Sequence, residues 1–275
     1  MKYSKVYVEI TNICNKSCSF CPKNKRLPRR MTEEEFRHIA GALQGKTGHL
    51  YYHLMGEPMT HPLLCRFIGI ASELGFKSCV TTNGSLLAAR GDELIASGVY
   101  KVNISVHSFE DGSKEDYLRY IDSCITFADK ASKAGVLTVF RLWNSGHDGG
   151  LNAETIALMQ RRLEGEWKLG TRGYRIRHKL HLEFGERFDW PDMEAGDFGE
   201  DVFCYALKDH FGILCDGTVV PCCLDHEGNI ALGNIFDSDP DSILSGERAV
   251  RMREGFMSRC ASEALCRRCG YARRF

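Results

Sequence analysis

The sequence predicts an α/β protein: a partial (β/α)6 barrel of the TIM type over residues 1–198, followed by a small cysteine-rich domain over residues 199–275. Three observations predict it. Apolar runs of strand length alternate with segments of helical period through the first two-thirds of the chain, the pattern of strand and helix units around a parallel sheet. Only six such strands stand out, and alternate residues in them are polar, whereas a closed eight-stranded barrel fills its interior with branched apolar side chains. Beyond Trp190 and Pro191 comes a stretch rich in Asp, Glu and Gly (residues 192–201) that reads as a linker, and then a tail dense in cysteine.

The strands fall at residues 6–11, 50–55, 77–82, 100–107, 136–143 and 179–184. Thr32 and Glu35 form a capping box that opens the first helix, and Gly45, Gly75, Gly98 and Gly135 stand where helices should stop. Parity assigns the faces. Val102, Ile104 and Val106 oppose Asn103, Ser105 and His107 in the fourth strand; Leu180, Leu182 and Phe184 oppose His181 and Glu183 in the sixth. With the apolar set toward the helices, the polar set faces an open interior suited to a substrate cavity; an ordinary half-exposed sheet is the alternative. In the tail, residues 211–234 read as hairpins turning at Asp216-Gly217 and Glu227-Gly228-Asn229, and residues 242–257 as a helix. This tail has little apolar material, so folding should require a metal and docking on the barrel.

Thirty-six basic and 36 acidic residues cancel, which gives no overall bias toward nucleic acid or an anionic membrane. The basic run at residues 172–179 reads as a solvated face, with phosphate binding as its alternative. Residues 1–12 lack the apolar run of a secretory signal, and no stretch approaches the roughly 18 apolar residues of a membrane span, so a cytoplasmic location is expected. Thirteen cysteines in a reducing compartment point to metal ligation rather than disulfides.

Directly after the first strand, Cys14, Cys18 and Cys21 are separated by three and then two residues, a spacing that lets one loop wrap several irons. Three thiolates on a four-iron cluster leave one iron open to a small molecule, whereas structural zinc normally takes four ligands. With Phe20 just before the last cysteine, this stretch resembles the radical S-adenosylmethionine superfamily, and the resemblance covers essentially the whole chain. It implies a four-iron cluster on Cys14, Cys18 and Cys21, whose open iron binds the methionine amine and carboxylate of S-adenosylmethionine. Reductive cleavage then yields a 5′-deoxyadenosyl radical that takes a substrate hydrogen. By the same resemblance, Gly56-Glu57-Pro58 would bind the methionine amino group, Phe20 would present backbone and ring to the adenine, and Asn83, Ser105 and Arg141 would supply ribose and carboxylate contacts. For Arg141 a surface ion pair is the alternative.

In the tail, Cys204, Gly217, Cys222 and the pair Cys266 and Cys269 resemble the Twitch domain, the shorter form of the SPASM extension. That resemblance implies one auxiliary four-iron cluster held by Cys204, Cys222, Cys266 and Cys269. Six residues follow Cys269, fewer than a second cluster would need, which leaves Cys215, Cys223 and Cys260 spare, although the neighbouring Cys222 and Cys223 compete for one place. On spacing alone a zinc site is equally suitable. Cys65, Cys79 and Cys124 fall within helix or strand patterns and read as packing.

A fully ligated cluster suits one-electron transfer, and so a two-electron oxidation of an alcohol-bearing small molecule such as a sugar or aminocyclitol. Oxidation needs a base, for which Glu183, His181 and His107 are lumen candidates, buried and satisfied histidines being the alternative. Trp143 and Tyr52 either shape the pocket or pack. A flavodoxin or ferredoxin is the expected one-electron reductase. Two further readings stand: a peptide or protein maturase, and a non-catalytic zinc module. The sequence opens almost directly on the first strand, without the peptide-recognition domain of many peptide maturases, which favours a small molecule.

Overall fold

The computed structural model describes residues 2–110 and 112–274. Its parallel strands are β1 (Lys5–Val8), β2 (His49–Tyr51), β3 (Lys77–Thr82), β4 (Lys101–Ser105), β5 (Leu137–Ser145) and β8 (Leu180–Glu186). Between them run α1 (Glu33–Ala42), α2 (Leu64–Glu73), α3 (Leu87–Ala96), α4 (Lys114–Lys133) and α5 (Leu151–Arg162). The Thr32 and Glu35 capping box is formed, and Gly45, Gly75, Gly98 and Gly135 follow their helices at φ between +76° and +90°. There the left-handed backbone that ends a helix costs glycine little.

Among the described residues the sheet has eleven strands, in the order β11-β10-β9-β1-β2-β3-β4-β5-β8-β7-β6, and does not close. The expected partial barrel is its centre, extended at both ends. An antiparallel hairpin, β6 (Lys168–Gly170) and β7 (Gly173–Arg177), follows α5 and pairs with β8, so the basic run lies largely on an outer strand. At the other end β9 (His210–Ile213) adds to β1 in parallel, from Lys5↔His210 to Val8↔Ile213. β10 (Thr218–Val220) folds back through the Asp216-Gly217 turn, and β11 (Gly233–Asn234) completes the set. The tail thus docks by continuing the barrel's own sheet.

Three expectations need correction. The first two strands stop at Val8 and Tyr51, short of 11 and 55, because the chain beyond turns onto neighbouring loops, as in the Thr11↔Arg30 bridge. Residues 106–108 form a 3-10 turn that takes His107 off the strand. The tail helix is two, α6 (Pro240–Ser245) and α7 (Glu247–Met257), divided at Gly246, whose extended backbone (ψ 151°) cannot continue a helix. A last short helix, α8 (Ala264–Arg267), carries Cys266.

The strand faces follow the predicted parity. Val6, Val8, Val102, Ile104, Leu180 and Leu182 are all at most 1% exposed in the core, against helix residues such as Phe36, Phe67 and Ile121. Tyr52 belongs to this outer layer: fully buried, edge-on to Phe36, with its hydroxyl 2.8 Å from Ser78 Oγ, it packs. No helix among the described residues is long and apolar enough to cross a membrane.

Candidate active site

The thiol loop leaves the carboxyl end of β1 and is closed at its base by side chains. Asn12 accepts the Arg29 amide at 2.7 Å and donates to the Leu27 carbonyl at 2.9 Å, while Thr11 Oγ1 donates to the Arg29 carbonyl at 2.9 Å. Within the loop the Cys21 amide turns back onto the Cys18 carbonyl at 3.2 Å. Burial pushes the Cys18 thiol up to about 11, with the nearby charges of Glu110, Cys14 and Cys21 adding to it. Thiols so destabilised as free anions become thiolates when a cation is beside them. The three sulfurs therefore suit an iron cluster, and Cys14 and Cys18 border a cavity of about 430 Å³ with Ser108 and Glu110. Cys14 Sγ also faces two donors, the Lys16 amide at 3.4 Å and Asn83 Nδ2 at 3.9 Å.

The Gly56-Glu57-Pro58 turn lies against this loop. Gly56 has φ +75°, and a Cβ there would stand 2.3 Å from the Thr11 carbonyl oxygen, so only glycine fits. The Glu57 amide donates to the Ile13 carbonyl at 2.9 Å. Its carboxylate is buried and turned inward, accepting the Met59 and Asn83 amides at 3.0 and 2.6 Å. Phe20 is half-buried, its ring 5.0 Å from His107 and 5.5 Å from the Arg187 guanidinium. Ser105 ends β4 in register with Arg141.

A second cavity, of about 400 Å³, occupies the lumen. Cys204, Cys222, Cys223, Cys266 and Cys269 border it, and so do Arg141, Trp143 and Glu183. Burial holds the Cys204 thiol at about 11 and Cys222 and Cys266 well above the ordinary range, and each of these three feels the other sulfurs. Four cysteines bordering one cavity are the donor set that a fully ligated four-iron cluster takes. Cys223 points instead to a hydrogen bond with Tyr7; Cys215 lies beside Arg26, and Cys260 is exposed. Cys79 and Cys124 are buried, Cys65 only partly.

Of the base candidates, Glu183 lines the lumen, 3.9 Å from Arg141 Nε. His107 is held near 4 by burial, its Nδ1 3.0 Å from the Arg141 carbonyl. His181 shares Glu183's strand face, is half-buried, and is not among the residues lining the cavity. Arg141 belongs to this lumen cavity and not to the one beside Cys14. Sequence reasoning missed Lys5, Tyr7, Tyr51, His53 and Lys101 on the same wall. Alternation along β1, β2 and β4 was the signal available for them.

Comparison with known proteins covers both thiol groups. The radical SAM superfamily model matches residues 8–142, and an iron-sulfur cluster-binding domain, SPASM, matches residues 204–270. Among curated relatives, a probable GTP 3′,8-cyclase of Methanocella arvoryzae is 29% identical, the alignment covering 93% of this chain and 92% of the relative. A GTP 3′,8-cyclase of Chlorobaculum tepidum is 28% identical over 109 residues, 38% of this chain and only 33% of the relative's length. Among solved structures, BtrN in complex with AdoMet and 2-DOIA superposes with a TM-score of 0.63 at 17% identity, over 98% of this chain and 94% of that one. The anSMEcpe protein with bound AdoMet and Kp18Cys peptide gives 0.64 at 14% identity, over 97% and 88%. These likenesses agree with the open α/β sheet and its cysteine-rich extension, and the chain belongs to the radical SAM superfamily as a radical SAM enzyme with a C-terminal SPASM/Twitch-like iron–sulfur domain.

Proposed function

We propose that this chain is a radical SAM oxidoreductase that removes two electrons from an alcohol-bearing small molecule of sugar or aminocyclitol type. In this reading residues 1–198 hold the S-adenosylmethionine site and residues 199–275 the auxiliary site, and a flavodoxin or ferredoxin supplies the priming electron. Cys14, Cys18 and Cys21 hold the first four-iron cluster; Cys204, Cys222, Cys266 and Cys269 hold the second. When bound, the first cluster and S-adenosylmethionine supply the hydrogen-abstracting 5′-deoxyadenosyl radical, and the second supplies a one-electron acceptor.

One observation carries the reading: the four auxiliary sulfurs border the same lumen as Glu183, Arg141 and Trp143. An electron acceptor and a proton acceptor thus share a wall with the space open to substrate. Glu183 takes the hydroxyl proton, with the Arg141 guanidinium 3.9 Å away beside it. His107 is neutral at pH 7, and its ring shapes the side of the site where Phe20 lies. Asn83 and Ser105, at strand ends, contact the ribose, and the Gly56-Glu57-Pro58 backbone holds the methionine end.

The test is mass balance. Reconstituted enzyme given S-adenosylmethionine, reductant and metabolite pools should give a product two hydrogens lighter than its substrate, one per 5′-deoxyadenosine. A second reading, cyclisation of GTP, is favoured by the Methanocella arvoryzae relative aligned over 93% of this chain. It gives a product of unchanged mass, and finding that would remove the oxidation.

A further inference from the structure

We propose that the substrate carries an anionic group, a carboxylate or phosphate, which Arg141 holds in the lumen together with Lys101 and Lys5; this rests on the lumen being the substrate site. Three strands deliver these cations to one wall, Lys5 from β1, Lys101 from β4 and Arg141 from β5. The placement is fixed by register: Tyr7, Tyr51, Cys79 and Lys101 are successive partners across β1 to β4, and Arg141 pairs with Ser105 farther along β4.

These cations are under-compensated. The Arg141 side chain is 14% exposed, and its Nε is buried with no hydrogen-bond partner. Its guanidinium lies over the Trp143 ring at 4.5 Å, and Glu183 stands 3.9 Å away, beyond hydrogen-bond reach. Lys5 rests near the Tyr7 and Tyr51 rings at 5.7 and 5.8 Å. Of the other two carboxylates bordering the cavity, Asp225 is engaged by the Asn229 and Ile230 amides, and Asp209 stands 3.6 Å from His210. Glu183 and Asp209 therefore share the cavity with four cations, Arg172 being the fourth. Burial and the nearby Arg141 charge also hold Lys101 below the ordinary lysine range, and Glu183 offsets only part of this. His53 adds a second buried, unpartnered nitrogen on the same wall. A planar guanidinium with free donors matches carboxylate or phosphate oxygens in pairs, and a desolvated positive wall selects for them. Arg141 borders the cavity of the auxiliary sulfurs and not that of Cys14, so the anion is assigned to the substrate and not to the methionine carboxylate of S-adenosylmethionine.

The experiment uses anaerobically reconstituted holoenzyme with S-adenosylmethionine and a deuterated metabolite extract split by anion exchange. Its readout is the fraction of 5′-deoxyadenosine that carries deuterium. Label should come from the anionic fraction, and Lys101→Met and Lys5→Met, checked for iron and sulfide content, should each lower it roughly tenfold at limiting substrate. Label from the neutral fraction overturns the proposal. So does wild-type labelling in both lysine variants with Arg141→Gln weakening S-adenosylmethionine binding, which would return the arginine to the methionine carboxylate. If no fraction labels, pyrophosphate and citrate are titrated into the loaded enzyme: saturable binding weakened by Lys101→Met supports the anion site, and no binding overturns it. Failure of the oxidation reading looks different, since label then passes from the anionic fraction into a system whose product has lost no hydrogens.

Discussion

Replacing Glu9 by glutamine should loosen the thiol loop, the barrel and the tail together. Glu9 is fully buried, and its carboxylate takes four donors: Arg26 Nη1 and Nη2 at 2.8 and 2.6 Å, and the Met55 and Cys215 amides at 3.1 Å each. These donors come from the thiol loop, the loop after the second strand and the tail's hairpin. Glutamine keeps the shape but removes the charge, and its NH2 must face groups that are all donors. Removing one partner of a buried ion pair costs about 3–5 kcal/mol. Arg26, 14% exposed and also bonded to the His226 carbonyl at 2.8 Å, retains some compensation, so about 3 kcal/mol is expected for Glu9→Gln. For a chain of this size that corresponds to a Tm lower by about 6–12 °C. The assay is thermal unfolding of reconstituted protein under argon, with Arg26→Met and the double variant completing a cycle. The two costs should fall short of additivity by about 2 kcal/mol. Additive costs, or a Glu9→Gln protein melting within about 2 °C of wild type, would refute the account of Glu9 as a shared anchor.

Cys18→Ala should abolish 5′-deoxyadenosine formation, measured by chromatography after reduction, whereas Cys269→Ala should retain some cleavage and lose substrate product; wild-type product from the latter would remove the auxiliary site from the reaction. Gly56→Ala must place its Cβ 2.3 Å from the Thr11 carbonyl at a φ of +75°, and is expected to lower stability by about 3 kcal/mol in urea titration. Burial, helped by Arg141 and Lys5, lowers His53 to about 3; burial also lowers His107 and His210 to about 4, all from an ordinary 6.5. Between those values the unfolded chain binds protons that the folded chain refuses, so this stability is whole above pH 6.5 and is lost as pH falls toward 4. The loss should be about 2 kcal/mol per histidine at pH 5, and His53→Gln should flatten the slope of urea midpoint against pH; an unchanged slope counts against a neutral buried His53.

Legibility followed periodicity. Lys77–Thr82 was readable to the residue because its β-branched run, Val80 to Thr82, ends at Asn83-Gly84, and the Thr32 box and the helix-ending glycines were readable because backbone geometry admits few residue types there. The thiol groups were readable because ligand spacing is local. Partners distant in sequence were not: β9 pairs with β1 across some 200 residues, and nothing in His210–Ile213 names that edge. The hairpin of β6 and β7 was hidden because its residues are largely exposed and polar, with Ile176 the fully buried exception. Tyr52 was assigned to neither face by composition; its parity with Leu50 would have placed it outward.

Strand β1 shows why the two halves need each other. Its even residues, Val6 and Val8, pack outward, while Lys5 and Tyr7 face the lumen and Glu9 continues the same parity just past its end. Along that inner edge lie, in order, a proposed substrate contact, the partner of Cys223, and the anchor joining the thiol loop to the tail. β9 supplies β1's second parallel neighbour, so without the tail β1 would be an edge strand with unpaired amides. A slip of one residue in the β1 and β9 register would turn His210 from the lumen and move the Cys215 amide off Glu9. Cys222 follows directly on β9 and β10 in the chain, so that slip would also displace it from the lumen wall. A spin-label pair on Lys5 and His210, which are registered partners on the lumen side, should therefore preserve both clusters, whereas the same pair offset by one residue should cost the auxiliary iron first.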